Sequence, residues 1–91
     1  MGRLDVGDMV RLEARFADWE GAPADPASVV LRVKKPSGAV ILPTVSRAAT
    51  GYYYAEVLLD EAGWWQYQWE STGTPTAVEG GEFHVLAKRI E

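Results

Sequence analysis

Polar and apolar residues alternate along most of the chain, and the repeated period of two sets the expected class of fold. In "VRLEARFAD" (10–18), Val10, Leu12, Ala14 and Phe16 share one side, while Arg11, Glu13 and Arg15 share the other. That is the pattern of a half-buried strand. Met9, Leu12, Phe16 and Trp19 also fit a helical stripe that Asp8 could cap, so residues 9–19 read as strand or helix. The strand is preferred because every later segment is β.

"WEGAPADPA" (19–27) is a loop, with two prolines, a glycine and acids. "SVVLRVKKP" puts Val29, Leu31 and Val33 inward until Pro36 stops it, and "PSG" turns the chain. "AVILPTVSR" (39–47) is a weaker strand whose Pro43 suggests an edge or a bulge. In "TGYYYAEVLLD", Tyr53, Ala55, Val57 and Leu59 share one face and Tyr52, Tyr54, Glu56 and Leu58 the other. "DEAG" is a turn, "WWQYQWE" runs back and "STGTPT" is a loop. "GGEFHVLA" finishes with Phe83 and Val85 inward, and Gly80-Gly81 is expected to supply a bulge or turn. About seven short strands with frequent turn signals predict an antiparallel sandwich or barrel in one domain over 1–91. Segments 1–7 and 87–91 are expected to be mobile ends.

Residues 64–69 carry four large aromatics in six positions. A strand turns Trp65, Tyr67 and Trp69 to one face and Gln66, Gln68 and Glu70 to the other. Three aromatic rings on a common face are a core, because so small a domain depends on burying them. Trp64 falls on the outward face, and burial does not explain it.

Composition narrows the function. The chain has 91 residues, 47% of them hydrophobic, with ten aromatics, no cysteine and a net charge of −4. Zero cysteines exclude a disulfide and a thiolate-held metal. The acidic balance argues against a nucleic-acid partner, and no apolar run is long enough to span a membrane as a helix. "MGRLDVGDMV" lacks the design of a signal peptide, so synthesis in soluble form in a host cytoplasm is expected. His84 is a lone outward histidine, and no G-x-S-x-G or glycine-rich phosphate loop is present. Asp60 and Glu61 read as turn residues. Asp18, Glu20 and Asp25 share a loop but lack the acid–glycine spacing of a calcium loop. No catalytic residue, cofactor or metal is expected, and the chain reads as a non-enzyme.

"LDEAGWWQY" resembles the start of strand F in immunoglobulin-like domains, with Trp65 in the place of the corner tyrosine and Tyr67 in that of the disulfide cysteine. An extra residue between Asp60 and Gly63, tryptophan for tyrosine and the missing cysteine pair are departures from that pattern. Across nearly the whole chain, "VGDMVRLEARFADWEGAPADPASVVLRVKKPSG", "TGYYYAEVLLDEAGWWQYQWESTG" and "EFHV" are similar in layout to small immunoglobulin-like proteins of tailed bacteriophages. The resemblance implies an all-β, immunoglobulin-like β-sandwich without a disulfide. It also implies a virion accessory subunit of the capsid or head–tail region, whose partners are other virion proteins or further copies of itself.

A structural interaction module of this kind needs an aromatic contact patch. Trp64, Tyr52 and Tyr54, outward on two strands joined by a short turn, are the candidates, with Trp19 in its loop as a fourth. A carbohydrate-binding module is the alternative. The same rings would stack on sugars, with Gln66 and Gln68 hydrogen-bonding, and surface glycans would be the partner. A third reading is a domain of a larger secreted protein, against which Met1 and the short tail weigh.

Overall fold

The computed structural model, which describes residues 4–73 and 78–87, is extended wherever the sequence alternates. In chain order the strands are β1 (Leu4–Asp5), β2 (Met9–Arg15), β3 (Ser28–Lys34), β4 (Val40–Ile41), β5 (Ser46–Ala49), β6 (Tyr52–Leu58), β7 (Gly63–Thr72) and β8 (Val78–Leu86). They form a five-stranded sheet in the order β1-β8-β7-β3-β4 and a three-stranded sheet in the order β2-β6-β5. This is the immunoglobulin-like sandwich: β2, β6 and β5 make one layer, and β8, β7 and β3 the centre of the other. Residues 9–15 are a strand, so the helical alternative for this segment is excluded.

The structure departs from the sequence reading in three places. Leu4 and Asp5, in the segment set apart as a mobile end, form β1, an eighth strand parallel to β8. Residues 1–3 and 88–91 of the two expected ends lie outside the described residues. The segment 39–47 is two strands in different sheets: β4 pairs with β3, and β5 with β6. Pro43 lies between them, and with no N–H to donate it suits the crossing from one layer to the other. Gly80 and Gly81 form neither bulge nor turn but sit mid-strand in unbroken register with Gln68 and Tyr67. A Cβ on Gly80 would lie 2.5 Å from the Tyr67 carbonyl oxygen, and one on Gly81 would lie 2.7 Å from the Tyr67 hydroxyl. The glycines make room for β7 and its ring.

The core is the set of inward residues that the alternation selects: Leu12, Ala14 and Phe16; Leu31 and Val33; Ala55, Val57 and Leu59; Trp65 and Trp69; and Val85. Tyr67 and Phe83 pack against it half-buried. Trp65 is fully buried and stacks on Phe83 with centroids 6.0 Å apart. Its Nε1–H donates to the Glu61 carbonyl at 3.0 Å, which ties the β6–β7 turn to the core four residues upstream. This is the work of a corner tyrosine done by an indole. The indole N–H of Trp69 is buried with no partner among the described residues.

Candidate functional site

The six candidate residues fall in three separate places. Consecutive strands β6 and β7 lie in opposite sheets, so their outward faces are back to back. Tyr52 and Tyr54 are on the outer surface of the three-stranded sheet, whereas Trp64, Gln66 and Gln68 are on that of the five-stranded sheet. A single patch joining Trp64 to Tyr52 and Tyr54 is therefore ruled out. The reason is topological: the short turn after β6 crosses between layers instead of making a hairpin.

The outer surface of the three-stranded sheet is already occupied by its own side chains. Glu13 is opposite Tyr54, and Arg15 is opposite Tyr52, on the register of β2 with β6. The Arg11 guanidinium lies 3.8 Å from the centre of the Tyr54 ring, and that of Arg15 lies 4.2 Å from the Tyr52 ring. The Tyr52 hydroxyl donates to the Glu13 carboxylate, which raises the pKa of the phenol. Arg11 and Glu13 are also an ion pair at 3.7 Å. Cation–π contacts and hydrogen bonds thus cover both tyrosines, and both are half-buried.

One end of this sheet is closed by Asp25. Its Oδ1 accepts hydrogen bonds from the Gly51 backbone N–H at 2.8 Å and the Tyr53 hydroxyl at 2.9 Å. Its Oδ2 accepts from Arg47 Nη2 at 3.0 Å. The Arg47 bond, ahead of the backbone one, holds the carboxyl down at about 2. Gly51 has φ +69°, and a Cβ there would meet the Phe16 carbonyl oxygen at 2.3 Å, so this junction admits only glycine.

The outer surface of the five-stranded sheet is different. Trp64 is 58% exposed, and its one ring neighbour among the described residues is His84, directly opposite on β8 with centroids 4.9 Å apart. A shallow groove runs across β7, β3 and β4 between Gln66, Gln68, Arg32, Lys34 and Val40. A second depression shares Lys34 and Gln66 and continues to Trp64, Lys35 and Pro36. At the far side, Arg32 Nε and Gln68 Nε2 both donate to Glu70 Oε2, at 3.0 and 2.7 Å. The Gln66 amide has no hydrogen-bond partner among the described residues. The surface is a ring, an open amide, a lysine and an apolar edge around a shallow depression.

Trp19 stands apart from both surfaces. It is 99% exposed at the tip of the loop after β2. Asp18 Oδ1 shapes that loop by accepting from Glu20 N and Ala22 N, at 2.9 and 3.0 Å. Ser28 pairs with Thr72 and Lys34 with Gln66, so Trp19 and Trp64 lie at opposite ends of the sandwich. Asp18 and Asp25 are thus committed to backbone and Arg47, and no cluster of three metal-ligating side chains occurs among the described residues.

The sequence reading missed His84 as a neighbour of Trp64 and missed the cationic side of the groove at Arg32 and Lys34. Alternation had marked each as outward. What it could not supply was the register that sets β3, β7 and β8 side by side.

No family model matches the chain, and no curated protein matches it. Among solved structures, it is similar to a candidate glycoside hydrolase from Bacteroides vulgatus ATCC 8482, with a TM-score of 0.66 and 14% identity. The match covers 98% of this chain and 17% of that one, so this domain corresponds to a small part of the larger protein. At that identity the likeness is one of fold.

Proposed function

We propose that this chain is a non-catalytic, immunoglobulin-like interaction module that binds through the outer surface of its five-stranded sheet. Trp64 is the anchor, and Gln66, Gln68 and Lys34 line the groove beside it. One observation carries the reading: among the described residues of the two outer surfaces, this one alone presents a large exposed ring and an uncommitted amide beside a groove. An exposed tryptophan beside such a groove has the character of a binding hot spot, since a partner gains its area without displacing internal contacts. The resemblance of the chain's layout to small bacteriophage proteins makes another virion subunit the expected partner. The test is incorporation into tailed-phage particles assembled in cells that express the tagged chain. Tagged chain should sediment with particles, Trp64→Ala should abolish this and Tyr54→Ala should leave it intact. Chain that stays wholly in the supernatant would defeat the virion reading.

A second reading, carbohydrate binding, draws on the same surface. A flat sheet face with an indole and side-chain amides suits stacking on a sugar ring, and the fold neighbour is a candidate glycoside hydrolase. A titration with oligosaccharides at millimolar level separates the two. A fluorescence change present in the wild type and lost in Trp64→Phe supports the sugar, and a flat response in both removes it.

A further inference from the structure

The two sheets have four edges, and they differ in how much of an unbroken strand each exposes. β1 and β4, at the edges of the five-stranded sheet, have two residues each. β5 has four residues and a register shift between Arg47 and Ala49. Short or bulged edges are how sheets avoid adding further strands. β2 is open along its whole length: it runs seven residues, Met9–Arg15, pairs with β6 in one unbroken register and has no strand on its other side among the described residues. β8 and β3, by contrast, are each partly covered, at Val85–Leu86 and Val33–Lys34.

The ladder fixes which groups face that open side. Leu59 N–H donates to the Asp8 carbonyl at one end, and Phe16 N–H donates to the Gly51 carbonyl at the other. Hydrogen-bonded pairs alternate in an antiparallel ladder, so the even-numbered residues exchange bonds with β6. Met9, Arg11, Glu13 and Arg15 turn their N–H and C=O groups to the free edge. The same four residues carry the outward side chains, in the order apolar, positive, negative, positive.

We infer that the occupant of this edge is a second copy of the chain, with the two β2 strands antiparallel and Leu12 opposite Leu12 on the two-fold axis. This register pairs every residue of the strand. Arg11 of each copy then faces Glu13 of the other, twice by symmetry, and Met9 faces Arg15. Shifting either way by one allowed step sets Arg11 against Arg11, or Glu13 against Glu13 with Arg11 against Arg15. Opposite charges directly across a ladder stabilise a pair and like charges oppose it. Strand centring and charge thus select the same register. The product is one continuous six-stranded sheet, β5-β6-β2-β2-β6-β5. It leaves the Trp64 surface free on each copy, so this inference stands apart from the proposed binding role.

Charge exchange tests it. Light scattering should give the wild type twice the 10.0 kDa chain mass. Glu13→Arg and Arg11→Glu should each run as monomers, and an equimolar mixture of the two should recover the doubled mass because it restores both cross-strand ion pairs. Both positions are exposed, and a wild-type β spectrum with a single cooperative melt would show that the variants fold, at a midpoint lowered by the lost contacts to Tyr52 or Tyr54. Hydrogen exchange gives a second readout: amides of Arg11 and Glu13 should be protected in concentrated wild type and lose that protection in Glu13→Arg. A wild type that is monomeric up to its solubility limit overturns the proposal, as does a dimer that Glu13→Arg leaves intact.

Discussion

The two outer surfaces of the sandwich carry aromatics at equivalent, outward-facing strand positions, yet only one is open. On the three-stranded sheet, arginines lie over Tyr52 and Tyr54, and the Tyr52 hydroxyl is bonded to Glu13. On the five-stranded sheet, Trp64 has His84 at its side and, among the described residues, no cation over its ring. A partner landing on the first surface must displace contacts already worth roughly 0.5–1 kcal/mol each at exposed sites. A partner landing on Trp64 and Gln66 breaks no hydrogen bond or cation–π contact among the described residues. An exposed aromatic side chain is therefore a candidate site only when its neighbours leave it alone.

The largest effect expected from this comparison lies within β7 itself. Trp65→Ala should destabilise the fold by about 3–5 kcal/mol, the usual cost of truncating a fully buried ring, with the loss of the Glu61 bond included. Trp64→Ala, one residue earlier, should change stability by no more than about 0.5 kcal/mol. Denaturant melts of both variants measure the contrast. A Trp64→Ala variant that lost several kcal/mol would show that this ring is structural and that the surface is not free.

Acid should then separate the two sheets. Asp25, on the three-stranded side, has its pKa lowered from 3.8 to about 2, chiefly by Arg47. Its folded-state pKa is depressed, so its contribution is complete above about pH 4 and fades as pH falls toward 2. Asp60, on the five-stranded side, is also held low, by Lys35 Nζ at 2.8 Å. In thermal melts between pH 5 and pH 2, Asp25→Asn should flatten the acid loss more than Asp60→Asn does. Equal flattening would mean that the two contacts contribute alike, and none from Asp25→Asn would mean that the Arg47 contact adds no net stability.

The alternating segments revealed the layers and the core, because a period of two assigns each side chain to a face without any knowledge of neighbours. Leu12, Leu31, Val57, Trp65 and Val85 are all buried where the alternation places them. Phase along one strand says nothing about which strand lies alongside, and the errors follow from that. Tyr52 and Trp64 were grouped because their strands are adjacent in the chain, although the turn between them changes sheets. Gly80 and Gly81 looked like a break because the signal for a close approach, the Tyr67 ring, lies on another strand. The open groove was equally hidden, since Lys34, Gln66 and His84 come together only through the registers of β3, β7 and β8.

The smallest expected effect is the most direct probe of which surface is committed. Tyr52→Phe keeps the ring under Arg15 and removes only the hydroxyl that donates to Glu13. The carboxylate is exposed and keeps Arg11 as a neighbour, so the loss should be small but measurable, that of a single exposed hydrogen bond. Gln66→Thr keeps the strand preference of the position and deletes an amide that no described residue engages. Its stability should stay within about 0.5 kcal/mol of the wild type. If Gln66→Thr proved the more damaging of the two in urea melts, the five-stranded surface would be internally bonded, and the distinction between an occupied and an open surface would collapse. If instead it leaves the fold intact but weakens association with the partner identified through Trp64, the amide acts in recognition.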